Sequence, residues 1–333
     1  MDTKVLRQIN TIQAVNMALI DAMRGNSDVI VLGEDVADPE GGGIAGVTRG
    51  LSTRFGDSRV RSTPISEQAI IGAAIGAAMA GLRPVAEIMV MDFTAVTMDM
   101  IVNHAAKLRF MSGGQTKLPL TIRTAAGAGR GQGGQHSDYY EAWFAHVPGL
   151  KVIAPSSPAD AYGLLLSCID DDDPCIFIEN MATYSLQGNA PERGVSIPLG
   201  KANCLREGTD VTVIGYSRVI HEIMAAANQL SSEGISIEVI DIRTIVPLDI
   251  ETILLSVAKT GRAVIVHEAM RNCGVGAEIA AQIHDHLFET LKAPVKRVTS
   301  APCPVPFAKV LETAFLPSIE IIETTIRELL KPR

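Results

Sequence analysis

The sequence predicts an α/β fold: two parallel or mostly parallel sheet domains with helices on both faces. Three observations predict it. Short apolar runs recur along the chain as strands buried on both faces do. Stretches with helical periodicity separate most of them. The 333 residues, at about 150 per domain, suffice for two hydrophobic cores.

Taken in order, Ile12–Met23 reads as an amphipathic helix and Val29–Leu32 as the first buried strand. Glu67–Ala80 is a second helix, apolar or small at nearly every position, which predicts burial on almost all sides. Pro84–Val90 is a strand, Thr97–Phe110 a helix, and Leu120–Thr124 and Lys151–Ala154 strands. The helix Pro158–Ile169 and the strand Cys175–Glu179 follow. Asn180–Gly208, punctuated by Asn-Gly, Ala-Pro and Pro-Leu-Gly, is the least regular long stretch and reads as an interdomain connection. Beyond it come the strands Val211–Tyr216, Ile237–Ile242, Ala263–His267 and Val295–Val298. The helices Val219–Leu230, Ile250–Val257 and Val275–Leu291 lie among them. The expected division is a first domain over 1–185, a linker over 186–208 and a second domain over 209–333.

Composition narrows the function classes. The chain is 47% hydrophobic and 20% charged, the profile of a folded domain rather than a disordered tail. Its 37 acidic against 29 basic side chains leave a net charge of −8, which repels a phosphate backbone, so no nucleic-acid partner is expected. Five scattered cysteines without a Cys-x-x-Cys suggest reduced thiols in a cytoplasmic setting, not a disulfide framework or zinc site. Met1–Asn10 carries no signal or transit pattern, and no apolar run reaches the ~18 residues of a membrane span.

Gly129-Arg130-Gly131-Gln132-Gly133-Gly134 satisfies G-x-G-x-x-G and follows a strand, so a dinucleotide site, and with it an NAD(P)-dependent oxidoreductase, is weighed first. Its context argues against it. The loop runs into Gln135-His136-Ser137-Asp138 instead of an apolar helix, and the next strand ends in Ala154-Pro155 without a ribose-binding acid. The alternatives are a loop that lets a ligand approach closely and delivers His136, or a surface loop with a solvated histidine.

Thr63-Pro64-Ile65-Ser66-Glu67 precedes the small-residue helix. Ser66 is a natural N-cap and Glu67 sits where the helix dipole favours a carboxylate, which by itself is a structural role. If the helix is buried all round, Glu67 is also desolvated and its pKa rises, which suits proton transfer. The repeated Gly and Ala further allow a second helix or subunit to approach.

These residues, with Gly33-Glu34-Asp35, Gly76–Pro84, Met111-Ser112-Gly113-Gly114, Gln135-His136-Ser137, Pro148–Val152, Val239–Pro247 and His267-Glu268-Ala269, together resemble the β subunit of the thiamine-diphosphate-dependent first component of 2-oxo acid dehydrogenase complexes. That family includes the pyruvate, branched-chain 2-oxo acid and acetoin dehydrogenases. The resemblance implies a transketolase-like pyrimidine-binding domain and a transketolase C-terminal domain. It also implies an α2β2 heterotetramer in which the α subunit holds the diphosphate and Mg2+; this chain lacks the corresponding Gly-Asp-Gly. The implied activity is carbon–carbon cleavage next to the substrate carbonyl, with acyl transfer to lipoamide on an acyltransferase core.

Residue by residue, Glu67 matches the glutamate that protonates N1′ of the aminopyrimidine. Ile65, Met89 and Phe93 match cofactor contacts, although Phe93 read alone is equally a core aromatic after a strand. His136 matches an active-site histidine that donates a proton to the intermediate or to the dithiolane. Leu120, Cys168, Ile169, Asp171 and Asp173 match a structural potassium site, several through carbonyls. Read without the family, the acidic run Asp170–Asp173 is a solvated turn at an unfavourable helix end. A non-catalytic scaffold subunit is the remaining alternative, and Glu67 and His136 argue against it. Substrate choice among pyruvate, branched-chain 2-oxo acids and acetoin is not encoded in this chain alone.

Overall fold

A computed structural model describes residues 8–331; of the stretch Met1–Asn10, residues 1–7 lie outside the described residues. By internal contacts the chain forms two units. Unit 1 is Met1–Ala126 with Trp143–Leu199, and unit 2 is Gly127–Ala142 with Gly200–Arg333. The glycine loop and His136 thus group with unit 2 although they lie within the expected first domain, and the unit boundary at Leu199/Gly200 falls inside the expected linker.

Unit 1 contains β1 (Gln8–Asn10), α1 (Thr11–Gly25), β2 (Val29–Glu34), α2 (Leu51–Phe55), β3 (Val60–Thr63), α3 (Glu67–Met79), β4 (Arg83–Val90), α4 (Leu108–Met111) and β5 (Thr121–Ala126). After α5 (Glu141–Ala145) come β6 (Lys151–Ile153), α6 (Pro158–Asp170), β7 (Cys175–Asn180) and β8 (Gln187–Asn189). The sheet runs in the order β6, β7, β5, β4, β2, β3 with each of these pairs parallel. β1 and β8, both short, pair antiparallel apart from it.

Sequence chemistry explains the helix starts. Asn10 and Gln13 form a capping box at α1, and Ser157 accepts the Asp160 N–H at α6, whose first residue is Pro158. The buried side chains of α1 and α6, including Val15, Leu19, Leu164 and Leu165, close the core on one face of the sheet. Gly43 is held at φ 66 with its α-carbon against the Glu87 carboxylate, where an added β-carbon would fall 2.5 Å from Oε1. Only glycine meets both demands.

Two expectations are corrected in unit 1. The helix expected over Thr97–Phe110 is broken into a 3-10 turn at Met91–Thr97, a π-helical turn at Asp99–Ala105 and the short α4. Local widening and tightening of this kind re-aims side chains that a continuous helix would stack. The second correction concerns α3. Ile70, Ile71, Ala74, Ile75 and Ala78 are buried, but Gln68, Ala69, Ala73, Gly76 and Met79 are exposed. Apolar side chains on every face permitted burial all round; the described chain covers only one face.

Unit 2 contains β9 (Asn203–Arg206), β10 (Val211–Gly215), α7 (Val219–Ser231), β11 (Ile237–Asp241), β12 (Thr244–Val246), α8 (Ile250–Thr260), β13 (Ala263–His267), α9 (Val275–Leu287), β14 (Lys296–Thr299), α10 (Lys309–Phe315) and α11 (Ile319–Leu330). Its sheet order is β14, β13, β10, β11, β9, parallel except for β9 on β11. Val213, Val239 and Val264 from the sheet pack with Ile220 and Ile223 of α7 and Ile322 and Ile326 of α11. Among the described residues no helix is long and apolar enough to cross a membrane, and the five cysteines are free thiols.

Candidate functional site

In unit 1 the parallel strands β2, β3 and β4 end on one edge at Glu34, Thr63 and Val90, the edge of an α/β sheet where ligands bind. Glu67 opens α3 just beyond β3, and α3 packs on β4 and on the 91–97 turn. Met89 near the end of β4 and Phe93 in that turn are both half-buried, and Ile65 is 76% exposed. The four expected cofactor contacts therefore share one edge of one unit.

Glu67 is only half-buried, and Ser66 makes no side-chain cap bond, so the expected buried and capped glutamate is corrected on both points. The open outer face of α3 is the physical reason. Among the described residues no hydrogen-bond donor reaches the Glu67 carboxylate. Its charge is nevertheless felt locally: the Glu34 carboxyl is raised above the usual range by burial first, then by Asp35 and by Glu67.

In unit 2 the glycine loop is closed by acids. Glu312 Oε1 accepts the N–H of Gly129 at 2.7 Å and those of Arg130 and Gly131 at 3.1 Å, and its Oε2 accepts Gly131 at 3.0 Å. Glu268 Oε1 accepts the Ala128 N–H at 2.6 Å. The backbone donors that would cradle a dinucleotide phosphate are thus engaged by internal carboxylates, which removes the nicotinamide reading on structural grounds. His136, farther along the same segment, is exposed.

Beneath the segment lies a buried polar cluster. Tyr216 donates its hydroxyl to Glu141 Oε1 at 2.6 Å, and burial, then Glu268, pushes the Glu141 carboxyl up to about 8. The Tyr216 ring stands 6.5 Å from that of Tyr139 and is stacked 6.2 Å from that of His267. His267 is fully buried, neither ring nitrogen makes a well-formed hydrogen bond, and burial drives its pKa down to about 4. It is a neutral core imidazole at physiological pH.

The expected potassium residues lie at the opposite edge of the unit 1 sheet, where β5 and β7 begin. Arg83 Nη1 donates to the carbonyls of Ile169 and Asp171, each at 3.0 Å, and Cys175 N–H donates to the Leu120 carbonyl at 2.9 Å. Lys151 holds the Asp171 carboxylate at 2.7 Å, Arg109 holds Asp173 at 2.7 Å, and Lys117 holds Asp172 at 2.8 Å. The acidic run is therefore balanced by this chain's own bases. Each carbonyl has a second lone pair, so the oxygen set fits a weakly charged monovalent cation better than a divalent one. Among the described residues no set of three or more His, Cys, Asp or Glu side chains is arranged to hold a metal ion.

Sequence reasoning did not single out Glu312, Glu268, Glu141 or Glu34 as site residues. Glu268 carried a visible signal, an acid beside a histidine at the end of an apolar strand. Glu312 carried none, since its partners lie about 180 residues earlier in the chain.

The model of the transketolase pyrimidine-binding domain matches residues 7–185, and that of the transketolase C-terminal domain matches 200–322. The β subunit of acetoin:2,6-dichlorophenolindophenol oxidoreductase from Cupriavidus necator is 43% identical over 333 residues, covering 98% of both chains. Its counterpart from Bacillus subtilis is 44% identical over 334 residues, covering 97% of this chain and 98% of that one. The β subunit of the B. subtilis pyruvate dehydrogenase E1 component is 42% identical over 327 residues, covering 98% of this chain and all of that one. Among solved structures, a split-gene transketolase described as an inactive β4 tetramer superposes with a TM-score of 0.79 at 21% identity, covering 97% of this chain and 98% of that one. Transketolase from Campylobacter jejuni gives 0.72 at 14% identity over 97% of this chain and 47% of that one. These two likenesses speak to the fold.

Proposed function

The chain belongs to the transketolase-type family of β subunits of pyruvate and acetoin dehydrogenase E1 components, and on that premise we propose that it supplies the pyrimidine-binding half of a thiamine-diphosphate site completed by an α subunit. The observation that carries this reading is the Glu67 edge of unit 1. There a half-buried carboxylate with no hydrogen-bond donor among the described residues shares the strand-end edge with Ile65, Met89 and Phe93, none of them fully covered.

The chemistry of these residues suits an aminopyrimidine: Glu67 would hold a proton at its N1′ atom, and Phe93, Met89 and Ile65 would offer the ring an apolar surface that excludes water. When bound, thiamine diphosphate supplies the nucleophilic carbon and the electron sink for cleavage next to the substrate carbonyl. His136 would donate a proton to one dithiolane sulfur as the S–S bond breaks, while the other sulfur receives the acyl group and the electron pair released by carbon–carbon cleavage reduces the disulfide. The α subunit holds the diphosphate and Mg2+, and the assembly is α2β2, serving a lipoyl-bearing acyltransferase core. The exposed small-residue face of α3 suits close approach of another subunit. Residues 1–185 act as the pyrimidine-binding domain, 186–208 as a linker and 209–333 as the C-terminal domain. A structural K+ at Leu120, Cys168, Ile169, Asp171 and Asp173 belongs to the same reading, as does a cytoplasmic setting, which the free cysteines support.

The test is co-expression with the α subunit and assay of pyruvate, 3-methyl-2-oxobutanoate and acetoin with thiamine diphosphate, Mg2+ and dichlorophenolindophenol. The chain alone is expected to be inactive, and one of the three substrates to dominate in the assembly. Glu67→Gln should lower the rate on the order of 10²- to 10⁴-fold with no loss of folding. Full activity of the isolated chain, or of the Gln variant, would overturn the proposal.

A further inference from the structure

His136 is carried on a segment rich in left-handed glycines, with Gly129 at φ 111, Gly131 at φ 69 and Gly133 at φ 72. Such a segment loses much conformational freedom when it is fixed in one shape, so something specific must fix it. The fixing contacts lie on both sides of the histidine. Upstream, four successive backbone N–H groups, Ala128 to Gly131, point into the carboxylates of Glu268 and Glu312. Downstream, Tyr139 is buried and Glu141 receives the Tyr216 hydroxyl. The segment before α10 also backs the loop, since a β-carbon on Gly133 would meet the Phe307 ring at 3.2 Å.

Of these contacts, Glu312 has the widest reach. The residue is 2% exposed, and its two oxygens take three consecutive amides, which are charge-assisted bonds in a largely buried setting. We propose that Glu312 is the positioning residue for His136: its carboxylate fixes the 129–131 backbone so that the imidazole is presented in one place for proton delivery. The proposal rests on the reading of His136 as the proton donor in acyl transfer. Glu312 touches no reacting atom, and its effect passes through the loop.

The experiment uses the assembled α and β subunits with four chains: unmodified, Glu312→Gln, His136→Gln and the double variant. Gln keeps the size of the side chain and removes the charge. Amide exchange by mass spectrometry reads residues 128–131, and acylation of free lipoamide gives kcat as a function of pH. Amides 129–131 in Glu312→Gln should exchange at least about tenfold faster. Its acylation kcat should fall on the order of 10- to 100-fold. The histidine-dependent limb of its pH profile should flatten, and the loss should not add to that of His136→Gln. Unchanged exchange, an unchanged kcat, or full additivity with His136→Gln would each overturn the positioning role while leaving His136 in place. An unimpaired His136→Gln would instead overturn the histidine reading and the positioning role with it. If Glu312→Gln fails to assemble, Glu312→Asp, which retains the charge on a shorter stem, is read by the same criteria.

Discussion

Glu141 Oε1 accepts the Tyr216 hydroxyl at 2.6 Å with both side chains buried, and Glu141 Oε2 has no side-chain partner among the described residues. Burial disfavours the charged form of this carboxyl more than its hydrogen bonds stabilise it, and its pKa is pushed from 4.5 up to about 8.

That preference sets a pH dependence of stability. The folded state holds the Glu141 proton above the pH at which the unfolded chain releases it, so the contribution is complete below about 4.5 and lost as pH rises through about 8. His267 works the other way, since its pKa falls from 6.5 to about 4 and stability is lost as pH drops through that window. Between pH 6.5 and 8 the Glu141 contribution is still being lost while that of His267 is already complete. Urea midpoints over that range should decline in the native protein and stay nearly level in Glu141→Gln, whose carbonyl can still accept from Tyr216. Identical slopes in the two would refute the assignment.

Arg123 is the largest fully buried side chain and lies between two acids. Its Nε and Nη2 bind the Glu179 carboxylate at 2.7 and 2.9 Å, and its Nη1 binds Glu87 at 2.7 Å. Burial raises the Glu87 carboxyl above its usual range even with Arg123 opposing it, so the acid depends on this partner. Arg123→Met should cost about 3–5 kcal/mol in unfolding free energy. Replacing Glu87 and Glu179 by Gln at the same time should recover much of that. A single variant within 1 kcal/mol of the native protein, roughly the scatter of surface changes, would argue that the triad is redundant.

Potassium should stabilise the turn at Asp170–Asp173 if the spare carbonyl lone pairs of Leu120, Cys168 and Ile169 receive it. The thermal midpoint in KCl should exceed that in tetramethylammonium chloride at equal ionic strength by about 2–4 °C. Arg83→Met, which removes the cation already donating to Ile169 and Asp171, should enlarge the difference. Equal midpoints in both salts, with and without Arg83, would dismiss the ion.

The buried strands were legible because parallel strands covered on both faces read as short, mostly apolar runs rich in Val and Ile, and β2, β4, β7, β10 and β13 all do. Helices with strong caps, α1 and α6, were legible for equally local reasons. The 91–111 stretch was not, because its composition suits a helix and only packing around β4 and α3 decides where the backbone tightens or widens. The position of Glu67 could be read from sequence but its exposure could not. Apolarity tells that a face can be buried, not that this chain buries it. Glu312 was beyond reach for a related reason, since a carboxylate's partners are fixed by tertiary contact and leave no periodic mark.

Residues 127–142 leave unit 1 after β5, are held by acids and hydroxyls of unit 2, and return at Trp143. A recombinant chimaera joining two relatives at the Leu199/Gly200 boundary alone would therefore separate Glu312 from the amides it evolved with. Three crossovers, at the two ends of this excursion and at the boundary, exchange whole sets of interacting residues. An exchange of parts between relatives should therefore follow the contacts of the loop and not its place in the chain.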